Sequence, residues 1–290
     1  MHKHHYKSII LVCTVLAFAA VGSILYTRSR AATPTAAVEA EAGTVDSPAI
    51  TATDSIASGG SAVKFTTASG IPQPVGPTSP TSGWKLDFDD EFNGTSLDKT
   101  RWSDMDGRSM NKVTTYASNI SVSGGNLVLT LASSTSGAFI SSSKADGAGA
   151  NGYLFPVGSY AEARVYFPGN GTAIYNWPAW WTSGPNWPAA GEHDVAEGLG
   201  TLTVNYHSPS GSHNMGTISG TWSNAFHTYG VYRKASSADV YWDGVKVKSY
   251  TTDDNGGAQS LLVNVGYGNT KVYGVDSQVK VDWIRSWSPQ

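Results

Sequence analysis

Over its last two hundred or so residues the chain alternates apolar and polar positions with a period of two. Leu127, Leu129 and Leu131 alternate with Val128 and Thr130, and Leu202, Val204 and Tyr206 with Thr203, Asn205 and His207. Leu261, Val263 and Val265 alternate with Leu262 and Asn264, and Val279, Val281 and Trp283 with Lys280 and Asp282. Successive side chains of a strand point to opposite faces, so each run predicts a strand with one face able to bury. Asp243-Gly244, between Val-Tyr-Trp and Val-Lys-Val, is a two-residue hairpin signal, because such a turn needs positive φ at both central positions. No long window carries an apolar stripe at the helical spacing of about 3.6 residues. Many short strands with Gly-rich turns predict an all-β fold, two antiparallel sheets packed as a sandwich or jelly roll.

The first third of the chain follows other rules. Residues 1–8 are basic, and Ile9–Tyr26 is an apolar run broken only by Thr14, Gly22 and Ser23. That is the layout of a secretory signal, with Ala17-Phe18-Ala19 as a small-x-small cleavage site. The run also reaches the length at which a membrane-spanning helix becomes a candidate, and Thr27–Arg30 would flank it. Residues 1–32 are therefore expected to be a signal peptide or a membrane anchor, and the body to be secreted or tethered outside the cell. Residues 33–83 read as an Ala/Ser/Thr/Pro-rich tether, most clearly in Ile71–Gly83. Within it, Val38–Thr67 resembles the opening strands of a carbohydrate-binding module, over far fewer residues than a module needs. Trp84–Gln290 is expected to be one all-β domain.

Composition narrows the class of partner. Residues 1–32 hold four basic groups and no acids, which leaves 15 basic against 22 acidic residues in the rest. A mildly acidic body argues against nucleic acid as a partner. All ten tryptophans fall in Trp84–Gln290, which suits a neutral, hydroxylated ligand. The single cysteine, Cys13, lies in the apolar run, so the body has neither disulfides nor thiol chemistry. The body reads as a monomer that meets a membrane only through its N-terminal segment. No zinc spacing, phosphate loop or nucleophile-elbow motif occurs.

One segment departs from ordinary strand chemistry: Gly191-Glu192-His193-Asp194-Val195-Ala196-Glu197-Gly198. Acids are depleted in strands, yet three stand within six residues. Glu192 and Asp194 share a face, whereas Glu197 has the wrong parity. One inserted residue, a β-bulge at Val195-Ala196, would return it to their face. Three carboxylates on one face repel, so the cluster should hold a proton near neutral pH. Glycoside hydrolysis requires such a set, since retention needs an ionised nucleophile beside a protonated acid. An edge strand using solvated acids against aggregation would show similar acids. It would need neither the flanking glycines nor the tryptophans that precede them.

The segment resembles the active-site strand of glycoside hydrolase family 16 in its bulged E-x-D-x-x-E, laminarinase-like form. Leu86–Gly94, Trp177–Trp181, Tyr206–Gly211, Phe226–Gly230, Tyr241–Gly244 and Val281–Trp287 resemble further family motifs in the family's order. The resemblance implies a concanavalin A-like jelly roll and a retaining endo-hydrolase of β-1,3 or mixed β-1,3/1,4 glucan. It also implies Glu192 as nucleophile, Glu197 as general acid/base and Asp194 assisting, with no cofactor in the chemistry. Two positions depart from the pattern: His193 stands where the family has an aliphatic residue, and Ala196 where it has a bulkier one. His193 should point into the core and find a polar partner there. Other readings of the same fold are a transglycosylase, a galactan hydrolase or a non-catalytic lectin, although lectins of this kind lose the carboxylates.

Around the trio, Trp181 and Trp187 are expected as walls of a sugar cleft, since indole stacks on the CH-rich faces of sugar rings. Trp180 should be core. His207 should reach the acid/base or a sugar hydroxyl, and Asn264, in an otherwise apolar strand, should bind substrate or bridge strands. Some relatives hold a structural calcium, for which Glu91 and Asp282 occupy the corresponding motifs here.

Overall fold

A computed structural model describes strands 49–53 and 61–65 and residues 72–77, 80, 82–143, 152–267 and 277–290. The expected signal or anchor, residues 1–32, lies outside the described residues. No helix among the described residues is long and apolar enough to cross a membrane. The chain divides into two compact units, Met1–Gly70 and Ile71–Gln290. In the first, β1 (Ala49–Thr53) and β2 (Ser61–Phe65) form an antiparallel pair with Ala49 opposite Phe65. This pair lies within the stretch that resembles the start of a carbohydrate-binding module.

The second unit contains β3 (Trp84–Asp90), β4 (Ser109–Met110), β5 (Val113–Thr115), β6 (Ile120–Ser123), β7 (Asn126–Thr130), β8 (Ser136–Ser141), β9 (Tyr160–Tyr166) and β10 (Trp177–Ser183). It continues with β11 (Glu192–Gly198), β12 (Leu202–Ser208), β13 (Gly211–Thr217), β14 (Phe226–Arg233), β15 (Ser237–Trp242), β16 (Val245–Thr251), β17 (Ser260–Gly266) and β18 (Gln278–Pro289). One sheet runs β13-β12-β11-β10-β17-β8-β5-β4, and the other β16-β15-β14-β9-β18-β7-β6 with β3 also on β18. All pairings are antiparallel except β5 with β8. A single 3-10 turn, Ala117–Asn119, is the only helical element described in this unit.

The period-2 runs bury the faces their alternation assigns, except at Trp283, where a register shift after Val281 breaks the alternation and Ile284 enters the core instead. Leu127, Leu129, Leu131, Leu202, Val204, Tyr206, Leu261, Val263, Val265, Val279 and Val281 all enter one core between the sheets. Trp180 joins it, fully buried, with its indole donating to the Tyr229 carbonyl at 3.0 Å. Asp243 and Gly244 close the β15–β16 hairpin at φ 45° and 78°, with Trp242 opposite Val245.

The segment expected to be a free linker behaves differently over Pro72–Pro77. The amides of Val75 and Gly76 each donate to the buried Glu162 carboxylate at 3.0 Å. The indoles of Trp287 and Trp84 donate to the Pro72 and Pro77 carbonyls at 2.6 and 3.2 Å. Gly76 is required there, because a Cβ would fall 2.1 Å from the Tyr160 hydroxyl. This segment therefore covers a second aromatic cluster, Trp84, Tyr160 and Trp287, on the outer side of the β9 sheet. Proline-rich composition signals an extended chain; it does not say whether that chain lies against a surface.

Candidate active site

The bulge sits where parity requires it. Asp194 pairs with Asn205 and Glu197 with Thr203, so β11 uses three steps where β12 uses two. On the other side Trp180 and Trp181 pair with Ala196 and Asp194, leaving Val195 as the extra residue. A bulge leaves a backbone group outside the ladder. Here the Val195 carbonyl accepts from the buried Trp242 indole at 2.9 Å. Val195 and Ala196 fill the core, and all three carboxylates turn to the outer face of the sheet.

The trio lines a cavity of about 260 Å³ with Trp177, Ala179, Trp181, His207 and Asn264. It adjoins a cavity of about 910 Å³ lined by Arg108, Phe139, Trp181, Trp187 and Glu192 among others. Met110, Asn111, Trp181 and Glu192 border both, so the two form one groove that passes over Glu192. Trp181 stacks on Phe139 at 5.8 Å between ring centroids, and Trp187 stands 58% exposed at the rim. Both expected walls therefore line the groove.

Glu197 is held at both oxygens. Trp177 Nε1 donates to Oε1, and Asn205 Nδ2 donates to Oε2 at 2.5 Å. Neither donor was among the residues expected at the site. His207 stands opposite Glu192 in register, with Nε2 3.2 Å from Asp194 Oδ2 and 3.7 Å from Glu192 Oε1. It thus faces Glu192 and Asp194, not Glu197, the carboxylate it was expected to reach. Asn264 bridges, accepting from Trp181 Nε1 at 2.8 Å and donating to the Trp177 carbonyl at 3.2 Å. This fixes the groove wall while leaving Asn264 in the lining of the smaller cavity.

Burial dominates the electrostatics. Glu192 is pushed up to about 8, by burial first and by the Asp194 charge second, while His207 pulls it down. Asp194 is raised well above the usual carboxylate range by burial and by Glu197. Glu197 is also raised by burial, against the lowering effect of its Trp177 and Asn205 hydrogen bonds. Protons therefore reside on the cluster near neutral pH, and the three groups titrate together.

His193 points the opposite way, fully buried, with Nδ1 2.9 Å from the Tyr250 hydroxyl and Nε2 3.3 Å from Asp254 Oδ2. Arg233 donates to the same Asp254 oxygen at 2.7 Å. The expected polar partner is thus a buried tyrosine and a buried ion pair. Burial pushes His193 down to about 4, so it is neutral at neutral pH.

The carboxylates expected to hold calcium are engaged elsewhere. Glu91 accepts from Arg285 at 2.7 Å, and Asp282 from Arg164 at 2.5 Å. Calcium needs six to eight oxygen ligands. Each of these carboxylates instead neutralises an arginine, so the residues present do not fit that ion. Among the described residues, the one cluster with metal-ligand geometry is Glu192, Asp194 and His207.

Comparison with known proteins bears out the resemblance read from the sequence. Residues 168–252 match the family model of the XgeA-like catalytic GH16 domain, a stretch that contains all of β11 and its bulge. No curated protein matches the chain. Among solved structures, the endo-β-1,3-glucanase of Pyrococcus furiosus is 20% identical with a TM-score of 0.57, covering 71% of this chain and 94% of that one. The laminarinase of Flavobacterium sp. UMI-01 is 21% identical with a TM-score of 0.58, covering 70% and 100%. A mixed-linkage glucan GH16 protein of Bacteroides ovatus, in complex with a G4G4G3G product, is 19% identical with a TM-score of 0.55, covering 69% and 99%. These likenesses show that the chain shares their two-sheet fold.

Proposed function

We propose that the chain is a retaining, endo-acting hydrolase of β-1,3 or mixed β-1,3/1,4 glucan. The observation that carries this reading is the bulge, which sets Glu197 on the face of Glu192 and Asp194 in a groove walled by tryptophans. Glu192 attacks the anomeric carbon while Glu197 protonates the departing glycosidic oxygen, leaving a glycosyl-enzyme ester. Glu197, now ionised, takes a proton from water, which attacks the same carbon and releases Glu192. Trp177 and Asn205 hold Glu197 in place through both halves of the cycle and stabilise its anion in the second. Asp194, next to Glu192 and buried, governs how readily that carboxyl ionises.

Groove and neighbours agree on the class of substrate. The groove is rich in aromatic and neutral polar side chains, and the similar structures include a β-1,3-glucanase and a mixed-linkage glucan protein. The apolar N-terminal run supports export, with the enzyme released or kept on an anchor. The test is reducing-end release by the full chain from laminarin, barley β-glucan, lichenan, xyloglucan, agarose and carrageenan. Release from laminarin or barley β-glucan is expected. Release from agarose or carrageenan alone, or from none, would overturn the reading.

A further inference from the structure

Behind the catalytic strand, on the face turned away from the groove, lies a buried set of ionisable groups that the hydrolysis does not use. Asp254 Oδ2 accepts from Arg233 at 2.7 Å and lies 3.3 Å from His193 Nε2, and none of the three residues is more than 3% exposed. Arg233 also donates to the Phe155 and Gly257 carbonyls at 3.0 and 2.8 Å. Arg233 belongs to β14 in one sheet and His193 to β11 in the other. Asp254, in the connection between β16 and β17, therefore ties the two sheets together. A buried ion pair adds little stability over apolar side chains of the same volume, because both charges lose their hydration. What it adds is direction, since its hydrogen bonds constrain angle as well as distance.

The connection fixed in this way grips the loop that leads into the catalytic strand. Residues 184–191 join β10 to β11 and carry Trp187. Gln259 Nε2 donates to the Ala190 carbonyl at 2.7 Å, and Asn255 Nδ2 to the Ala189 carbonyl at 3.3 Å. At Gly191, φ 73°, a Cβ would fall 2.4 Å from Asp254 Cβ. The Asp254 side chain thus lies directly against the backbone that precedes Glu192. Trp187, on the same loop, hydrogen-bonds the Glu192 carboxyl and favours its ionised form. An indole 58% exposed has little packing of its own to hold it there, so its position depends on the loop that carries it.

We propose that Asp254 is a positioning residue: fixed by Arg233 and His193, it clamps residues 184–191 and so keeps the Trp187 indole on Glu192. Loss of the clamp frees the indole, and Glu192 loses a donor that orients it and favours its reactive form. This kinetic consequence rests on the reading of Glu192 as nucleophile; the clamp itself does not.

The test follows the Trp187 indole proton by NMR in the full chain grown with nitrogen-labelled tryptophan, its resonance being the one absent from Trp187→Phe. Asp254→Asn is expected to speed exchange of that proton with water roughly fivefold or more, with circular dichroism confirming the fold. Asn255→Ala, at an exposed position, leaves the ion pair in place and should speed the same exchange by a smaller factor, deciding alone if Asp254→Asn does not fold. On laminarin, Asp254→Asn should lower kcat/KM roughly tenfold. It should also move the acid limb to higher pH, since Glu192 loses a donor that lowers it. In a Trp187→Phe background the same substitution should change kcat/KM less than about twofold, as befits two residues acting through one contact. Equal factors in both backgrounds would mean that Asp254 is merely structural and would overturn the proposal. Unchanged indole exchange in both variants would overturn the clamp whether or not the chain hydrolyses glucan. Faster exchange with unchanged kcat/KM would overturn the kinetic role alone.

Discussion

Asn205 donates its side-chain amide to Glu197 from the position directly opposite Asp194, across the bulge. One residue of β12 therefore serves the carboxylate that parity alone would have turned away. Trp177 completes the hold on the other oxygen.

Removing that donor should cost rate more than affinity. Asn205→Ala is expected to lower kcat roughly 10- to 100-fold with KM little changed, since it misplaces a proton-transfer group without touching the groove walls. The hydrogen bond favours the ionised form of Glu197, so its loss raises that carboxyl further. The alkaline limb of the pH–rate profile should move to higher pH. Steady-state kinetics across pH measures both effects, and an unmoved alkaline limb would contradict the role.

Glu192, pushed up to about 8, must ionise before it can attack. The acid limb of kcat/KM is therefore expected near pH 8. Asp194 raises Glu192 by repulsion, so Asp194→Asn should move the acid limb to lower pH while reducing the maximal rate. His207 lowers Glu192, so His207→Gln should move it the other way. Profiles of the two variants displaced in the same direction would contradict this assignment.

His193 makes the fold sensitive to acid. Its folded value, about 4, lies below the ordinary 6.5, so the unfolded chain binds a proton that the folded chain excludes. This contribution to stability is intact above pH 6.5 and is lost as pH falls from 6.5 to 4, by up to on the order of 3 kcal/mol. His193→Leu should be less stable at neutral pH by roughly 1–3 kcal/mol, because Tyr250 and Asp254 each lose a partner. It should show a shallower loss over that pH window. Urea denaturation at pH 7.5 and pH 5 tests both statements.

The docked segment Pro72–Pro77 belongs to the domain. A chain beginning at Trp84 strips two amide donors from the buried Glu162 and uncovers Trp84, Tyr160 and Trp287. Hydrogen bonds to a charged group are each worth about 1.5–3 kcal/mol. The truncated chain should therefore melt well below one beginning at Ile71. Equal melting temperatures would show that the segment adds nothing.

The parts of this site visible in the sequence are those set by local rules. Glu192 and Asp194 follow from parity, and Glu197 from the single inserted residue that restores it. Asn205 has the parity of His207, and Trp177 that of Trp181, so the same rule could have placed both beside the trio. The partners of His193 were not visible that way. Tyr250 and Asp254 lie 57 and 61 residues further along the chain, and only the packing of the two sheets brings them together. The contact of Pro72–Pro77 with Glu162 is hidden for the same reason, as is the engagement of Glu91 and Asp282 by arginines. Asn264 shows a further limit, since a polar residue in an apolar strand can face a groove and still spend its hydrogen bonds on its neighbours.

The most direct test of the central claim is the stereochemistry of azide rescue in Glu192→Ala, with an aryl β-glucan oligosaccharide as substrate. The variant should be nearly inactive alone. With excess azide it should regain turnover and release an α-glycosyl azide, identified by the anomeric coupling in its proton NMR spectrum, because azide enters the space left by the nucleophile. Near-full activity without azide would contradict the account, as would a β-glycosyl azide, which would make Glu192 the acid/base and not the nucleophile.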